Sequence, residues 1–531
     1  MRDLEVPGRS PVHAPECMAA TSHPLATQTA VQVLNSGGNA MDAAIAACAV
    51  QCVVEPSSTG IGGDNFCIYA PEGSDQLIAF NGSGRAPAAA TAAWYRSKGI
   101  SMIERQSPHA VTIPGAIDAW DTLARNHGRK QLGELLQPAI RYARDGYPIS
   151  SRVSIDLKRE SNNILKDKAT AKVFMPNGRT PEVGEMHRQP ELAATLLKIA
   201  NHGRDAFYKG EVAADIVEFL QKNGGLQTMK DFSAAKGNYV VPIKTNFRGY
   251  DVYQCPPNGQ GVIALLLLNI MSESRLCGHN PLSVERIHEE IEAGRFAYRD
   301  RNLYLADPMH ANVPTDWLLS HDLAKQIYAA IDPNIAMSSL PRFNAPQHPS
   351  TVYISVVDKN RNCCSFINTL FSDLGSVLMA PQSGVVLHNR AQGFVIDPHH
   401  PNCIARRKRP LHTIIPGMVC KNNRAVMPYG VMGGQYQAFG HMQFLTRLFD
   451  YGLDIQEAQD YPRFFPNPYN GTVEIEATIP TDIQRKLKAK GHHLARPLKP
   501  IGGSQAIWID YDQNVLTAGS DPRKDGCAIG C

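Results

Sequence analysis

From residue 26 to residue 54 the chain is rich in Ala and Val and is interrupted once, by Asn35-Ser-Gly-Gly-Asn39. That pattern predicts two helices joined by a glycine turn. The second, from Ala40, is apolar nearly all round and reads as a buried helix rather than an amphipathic one. Residues 57–64 read as a loop, and 65–69 and 76–80 as strands. A mainly helical pattern follows from 116 to 231, then a short strand at 249–253 and helical spacing with many charges over 283–305. Between 332 and 350 the periodicity fades and four prolines appear, which marks a linker or an exposed loop. Strict alternation resumes at Thr351-Val-Tyr-Ile-Ser-Val-Val-Asp358. A turn at 359–362 and a second strand at 364–370 complete a hairpin, and more strands with glycine turns follow. There is no internal repeat. The change of character at 350/351 is the strongest organisational signal in the chain.

Composition narrows the picture. With 43% apolar and 19% charged residues over 531 positions, a large core is available and global disorder is excluded. The net charge of +4 implies neither a nucleic-acid nor a membrane partner, and Arg406-Arg-Lys-Arg409 reads as a solvated face. Twelve cysteines are too few for a disulfide-stapled domain, and no Cys-x-x-Cys pair suggests zinc. His388, His399, His400, His412 and His441 form no helical pair and read as core or surface residues, so no metal is expected. The start has no apolar signal core, and the longest apolar run, 262–271, is half a membrane span. The expected setting is soluble, reducing and cytoplasmic.

Two features carry candidate chemistry. Thr351 opens a strand directly after the proline-rich loop. A threonine there usually serves β propensity. If the Ser350–Thr351 bond were cut, however, Thr351 would gain an α-amine with a pKa of about 7.7–8.0, and one residue would supply both nucleophile and general base. Gly430-Val-Met-Gly-Gly-Gln-Tyr-Gln437 is a glycine-rich turn after a strand. It is either a plain turn or a pair of backbone N–H groups, from Gly433 and Gly434, aimed at an oxyanion. Gly60-Ile-Gly-Gly-Asp64 lacks the dinucleotide-loop pattern, so no nucleotide cofactor is expected.

Taken in order, Thr21-Ser-His-Pro-Leu-Ala26, Gly37-Gly-Asn-Ala-Met-Asp-Ala-Ala44, Glu55–Asp64, Arg85-Ala-Pro, Val111-Thr-Ile-Pro-Gly115, Pro256-Pro-Asn-Gly-Gln-Gly, Thr351–Asp358, Lys408-Arg-Pro-Leu411, Gly433-Gly434 and Asp521-Pro-Arg resemble the γ-glutamyltransferase family over nearly the whole chain. The resemblance implies an α+β fold: a four-layer αββα N-terminal-nucleophile sandwich. It implies a precursor that cuts itself between Ser350 and Thr351 into a large subunit, 1–350, and a small subunit, 351–531, that form one intertwined domain. It makes Thr351 the nucleophile, Thr369 its hydrogen-bonding partner, and Gly433 and Gly434 the oxyanion pair. It implies no cofactor.

The substrate pocket departs from the family pattern. The family arginine that holds the γ-glutamyl carboxylate falls on Ser83, with Arg85 the nearest cation, and the aspartate that holds its amine falls on Gly393. A family glutamine becomes Arg390, next to Asn389. A family asparagine becomes Phe371, and two family serines become His412 and Thr413. A buried ammonium needs a counter-charge. The pattern therefore favours an acyl group with a carboxylate and no amine, held by Arg390 or Arg85, with Ser83, Asn389, His412 and Thr413 lining the site. The expected function is a self-processing threonine amidohydrolase of the oxamate type acting on a small-molecule amide. A γ-glutamyl transferase, a glutaryl-type acylase and an inactive binding paralogue remain as alternatives.

Overall fold

The computed structural model describes residues 8–278, 280–338 and 350–531. Two seven-stranded antiparallel sheets face each other. One runs in the order Val12–Ala14, Val515–Ser520, Gly503–Asp510, Arg424–Met432, Gly417–Lys421, Tyr250–Gln254, Ile243–Phe247. The other runs Cys527–Gly530, Met18–Thr21, Ser350–Val357, Cys363–Phe371, Asp64–Ala70, Ile78–Gly82, Asn238–Val240. Each sheet thus takes strands from both sides of the 350/351 boundary.

Period two on the strands builds the layers. Tyr353 and Val357 join Phe66, Ile68 and Ile367 against Met418, Met432, Ile507 and Ile509 between the sheets. The alternate residues Ile354, Val356, Cys364 and Phe366 face outward into helices Pro24–Asn35 and Ala40–Val54. On the other outer face, Val419, Met427 and Val431 pack under Gly261–Ser272, Val284–Tyr304 and Tyr436–Phe449. This is the expected αββα sandwich.

Most predicted elements are present within a residue or two. Ala40–Val54 is buried along its entire length, and Asn39 and Asp42 form a capping box at its start. The hairpin pairs Val352 with Asn368 and Val357 with Cys363. The proline-rich segment falls outside the described residues over 339–349, as do lead-in residues 1–7. Among the described residues no helix is long and apolar enough to cross a membrane. Cys17 and Cys531 are disulfide-bonded. They lie 514 positions apart in sequence, and no spacing motif signals their meeting.

A buried ion network sets the segment behind the glycine turn. Arg463 pairs with Asp521 and donates through Nη1 to Ile501 O at 2.8 Å and through Nη2 to Ser504 Oγ at 3.1 Å. Arg523 joins Asp521 at 3.3 Å and Glu476 at 2.7 Å. Burial works to raise the Asp521 carboxyl, but Arg463 and Arg523 outweigh it and hold it below its ordinary range. Its contribution to stability is therefore present above the unfolded-state value of about 3.9, and is lost as pH falls from there through the depressed folded-state value. Asp521→Asn should lower the unfolding free energy by about 3 kcal/mol at neutral pH in urea titrations, because it strands a buried guanidinium. The gap to the unmodified protein should narrow in acid; an equal gap at pH 7 and pH 3 would contradict the assignment.

Candidate active site

The strand Ser350–Val357 lies between Met18–Thr21 and Cys363–Phe371, and its alternation turns Thr351 toward the space between the sheets. Thr351 is buried, and its Oγ1 is 3.3 Å from Thr369 Oγ1 on the neighbouring strand. The Phe371 N–H donates to Thr369 Oγ1 at 2.9 Å, which fixes that hydroxyl. From the first turn of helix Tyr436–Phe449, Gln437 Nε2 reaches Thr351 Oγ1 at 3.4 Å while Gln437 Oε1 accepts from Ile415 N at 3.1 Å.

The glycine turn closes the other side. Strand Arg424–Met432 ends and helix Tyr436–Phe449 begins across Gly433 and Gly434, whose φ values are +120° and +53°. At Gly433 a Cβ would meet Gly502 Cα at 2.9 Å, so the turn requires glycine there. Both carbonyls are committed. Gly433 O accepts from Tyr436 N, and Gly434 O accepts from Gln437 N and from Gln260 Nε2 at 2.8 Å. The turn stands at the N-terminus of a fourteen-residue helix, where partial positive charge gathers.

The remaining predicted residues separate into two groups. Arg390 is fully buried, with its guanidinium 4.0 Å from the centre of the Phe371 ring and Nη1 donating to Thr413 Oγ1 at 3.2 Å. Its Nε and Nη2 make no hydrogen bond among the described residues. Burial pulls its pKa down to about 9, opposed by Asp64, which lies 3.9 Å from Nε. Phe371 and Thr413 therefore link Arg390 to the Thr351–Thr369 pair. Gln260 links Thr413 to the turn, because its Nε2 donates to both Thr413 O and Gly434 O. Asn389 supports this group from behind: it bonds Ser372 N and Ser372 Oγ at 3.0 and 2.8 Å. Ser83 is buried and held by Asn258 at 3.2 Å. Arg85 faces the outside. It pairs with Asp307 at 3.6 Å, donates to Arg407 O, and lines a separate surface opening with Ile113 and Arg407.

Asp64, which sequence reasoning placed only in a loop motif, is the centre of the buried polar cluster. Its Oδ1 accepts from Gly84 N at 2.9 Å and Gly115 N at 3.2 Å. Its Oδ2 accepts from His412 Nε2 at 3.1 Å, and His388 Nδ1 lies 3.5 Å away. Ile414 N donates to His412 Nδ1 at 3.3 Å, which places the His412 proton on Nε2. Burial works to raise the Asp64 carboxyl, and His388 and His412 more than offset it, so it is held below the carboxylate range. Burial, with the nearby Arg390 charge, pulls His412 down to about 3 and keeps it neutral.

Among the described residues, the side chains close enough to share a metal ion are His288, Glu292 and His492, outside this site. They are already engaged: His288 with His492 and with Asp332 O, each at 2.7 Å, and Glu292 with Arg295 and Met337 N.

The family model described as Gamma-glutamyltranspeptidase matches residues 26–531. A glutathione hydrolase-like YwrD proenzyme of Bacillus subtilis is 36% identical, with 97% of this chain and 98% of that one covered. An oxamate amidohydrolase proenzyme of Klebsiella pneumoniae is 29% identical over 97% of this chain and 98% of its own. The crystal structure of a cephalosporin acylase from Bacillus halodurans superposes with a TM-score of 0.93 at 36% identity, covering 100% of this chain and 99% of that one. The chain therefore belongs to the gamma-glutamyltranspeptidase family: an amidohydrolase with the N-terminal-nucleophile fold, of the kind made as a proenzyme.

Proposed function

We propose that the chain cuts its own Ser350–Thr351 bond, giving a large subunit 1–350 and a small subunit 351–531, and that Thr351 is the nucleophile of the mature enzyme. Thr351 Oγ1 attacks the amide carbonyl and its freed α-amine takes the proton. The Gly433 and Gly434 N–H groups meet the oxyanion at the helix N-terminus. The leaving amine departs with the proton, and water then cleaves the Thr351 ester to release the acid. Thr369 and Gln437 hold Oγ1 in place.

The substrate we favour is an amide whose acyl group ends in a carboxylate and carries no amine, with oxamate at the small end and glutaryl amides at the large end. One observation carries this reading: Arg390 is fully buried, yet its Nε and Nη2 make no hydrogen bond among the described residues. Those two N–H groups form the side-on face of a guanidinium, which matches both oxygens of one carboxylate. Asp64 is no ready partner for an ammonium, because two backbone N–H groups and His412 already occupy it. The named relatives span a glutathione hydrolase-like protein, an oxamate amidohydrolase and a cephalosporin acylase, so the family alone does not choose the acyl group.

Three outcomes follow. Thr351→Ala should remain one chain on a reducing denaturing gel and be inactive, and N-terminal sequencing of the wild-type small fragment should begin at Thr351; any other start removes Thr351 from the mechanism. Gly434→Ala should lower kcat by about 10²–10³ with the fold intact by circular dichroism, since a Cβ pushes the carbonyl off the N–H groups. Finally, a substrate screen at equal concentration should rank oxamate and glutaryl amides above γ-glutamyl anilide. Arg390→Gln should cut kcat/KM for the favoured amide by about one to two powers of ten, the value of a charge-assisted hydrogen bond. Efficient γ-glutamyl turnover with none of the amine-free amides would overturn the pocket assignment.

A further inference from the structure

Cys17 closes onto Cys531 with the two Cα atoms 5.1 Å apart. The backbone sets this pairing independently of the sulfur atoms. Cys531 N donates to Cys17 O at 3.0 Å, while Glu16 N and Cys17 N both donate to Cys531 O. The ladder continues through Met18 opposite Gly530 to Thr21 opposite Cys527. Among the described residues the strand Cys527–Gly530 is the edge of its sheet, with Met18–Thr21 its one strand neighbour. The two cysteines also line a surface cavity with Asn35, Arg129 and Lys359, which gives small thiol reagents a route to the pair.

Cys17 precedes the 350/351 boundary and Cys531 follows it. We infer that the Cys17–Cys531 disulfide is a covalent bond between the two subunits of the processed enzyme. This rests on the Ser350–Thr351 cleavage proposed above. Cutting that peptide bond would otherwise leave the halves joined by noncovalent contacts, buried ion pairs such as Arg286–Asp450 included. The bridge forms by exchange with a low-molecular-weight disulfide such as glutathione disulfide: the two protein thiols lose two electrons and two protons, and the reagent leaves as two thiols. Oxidising surroundings keep the mature enzyme one covalent unit, and reducing surroundings make it two chains.

The test compares the full-length protein, treated with glutathione disulfide and alkylated, on non-reducing and reducing denaturing gels. The expected result is one band without reductant and two with it, together with a linked peptide pair containing Cys17 and Cys531 in a non-reduced digest. Cys531→Ser should give two bands in both lanes. After denaturation and dilution, recovery of activity should be independent of protein concentration for the bridged protein and concentration-dependent for Cys531→Ser. Two bands from the oxidised wild type without reductant would overturn the bridge. One band in both lanes, with the linked pair present, would instead defeat the cleavage reading, and the inter-subunit role of the bridge with it.

Discussion

The site depends on one constraint: the strand that begins at Ser350 is paired with Cys363–Phe371 continuously from Val352 to Val357 and, over Ser355–Val357, with Met18–Thr21 on its other edge as well. A strand held that way cannot slip by one residue without turning its whole inward face to the outside. The inward face is fixed a second time by polar contacts. Tyr353 Oη bonds Ser365 Oγ at 2.8 Å, and Ser355 Oγ donates across the sandwich to Pro428 O at 2.8 Å. Thr351 is the next inward position, at a register shift between Ser350 and Val352, and its hydroxyl is placed by Thr369 Oγ1 at 3.3 Å and Gln437 Nε2 at 3.4 Å.

The second requirement is a set of charges placed in the interior. Burying a carboxylate is expensive unless it is richly bonded. Asp64 meets that condition by joining the backbone at Gly84 and Gly115 to His412. One carboxylate thus aligns the ends of two loops and one imidazole. Arg390 is paired less completely, with one hydrogen bond, a ring face and a carboxylate at 3.9 Å. This contrast separates a group that supports the scaffold from one positioned to meet a ligand.

The fold was legible because its signals are local. An Ala-rich run, an alternating strand after a proline-rich segment, and a turn of four residues at 359–362 each show in a short window, and the matching elements are present at Ala40–Val54, Ser350–Val357 and Cys363–Phe371. Alignment of motifs also put Thr351, Thr369, Arg390 and Thr413 near one another in space. The parts that were not legible are those made by distant segments. Asp64 sits in a glycine-rich loop whose composition describes a turn, and its partners are 324 and 348 positions away at His388 and His412. A clue was present: an acidic residue leading into a mostly apolar strand, residues 65–70, is costly unless something pairs with it. Gln437 lay at the end of the quoted glycine motif, but only the start of its helix aims it at Thr351. The Cys17–Cys531 bond offers no such clue, since neither residue belongs to a spacing motif. Arg85, expected near the acyl group as the nearest cation, pairs with Asp307 and lines a separate surface opening.

The pairing of Asp64 with Arg390 has a consequence for how the pocket discriminates. Their opposite charges stand 3.9 Å apart in a medium that screens them weakly, so together they form a fixed dipole rather than a net charge. A dipole ranks ligands by the direction of their own charge separation. Two molecules of equal total charge would be sorted by which end enters first, and adding salt to the solvent would alter that sorting far less than it alters attraction to an exposed cation.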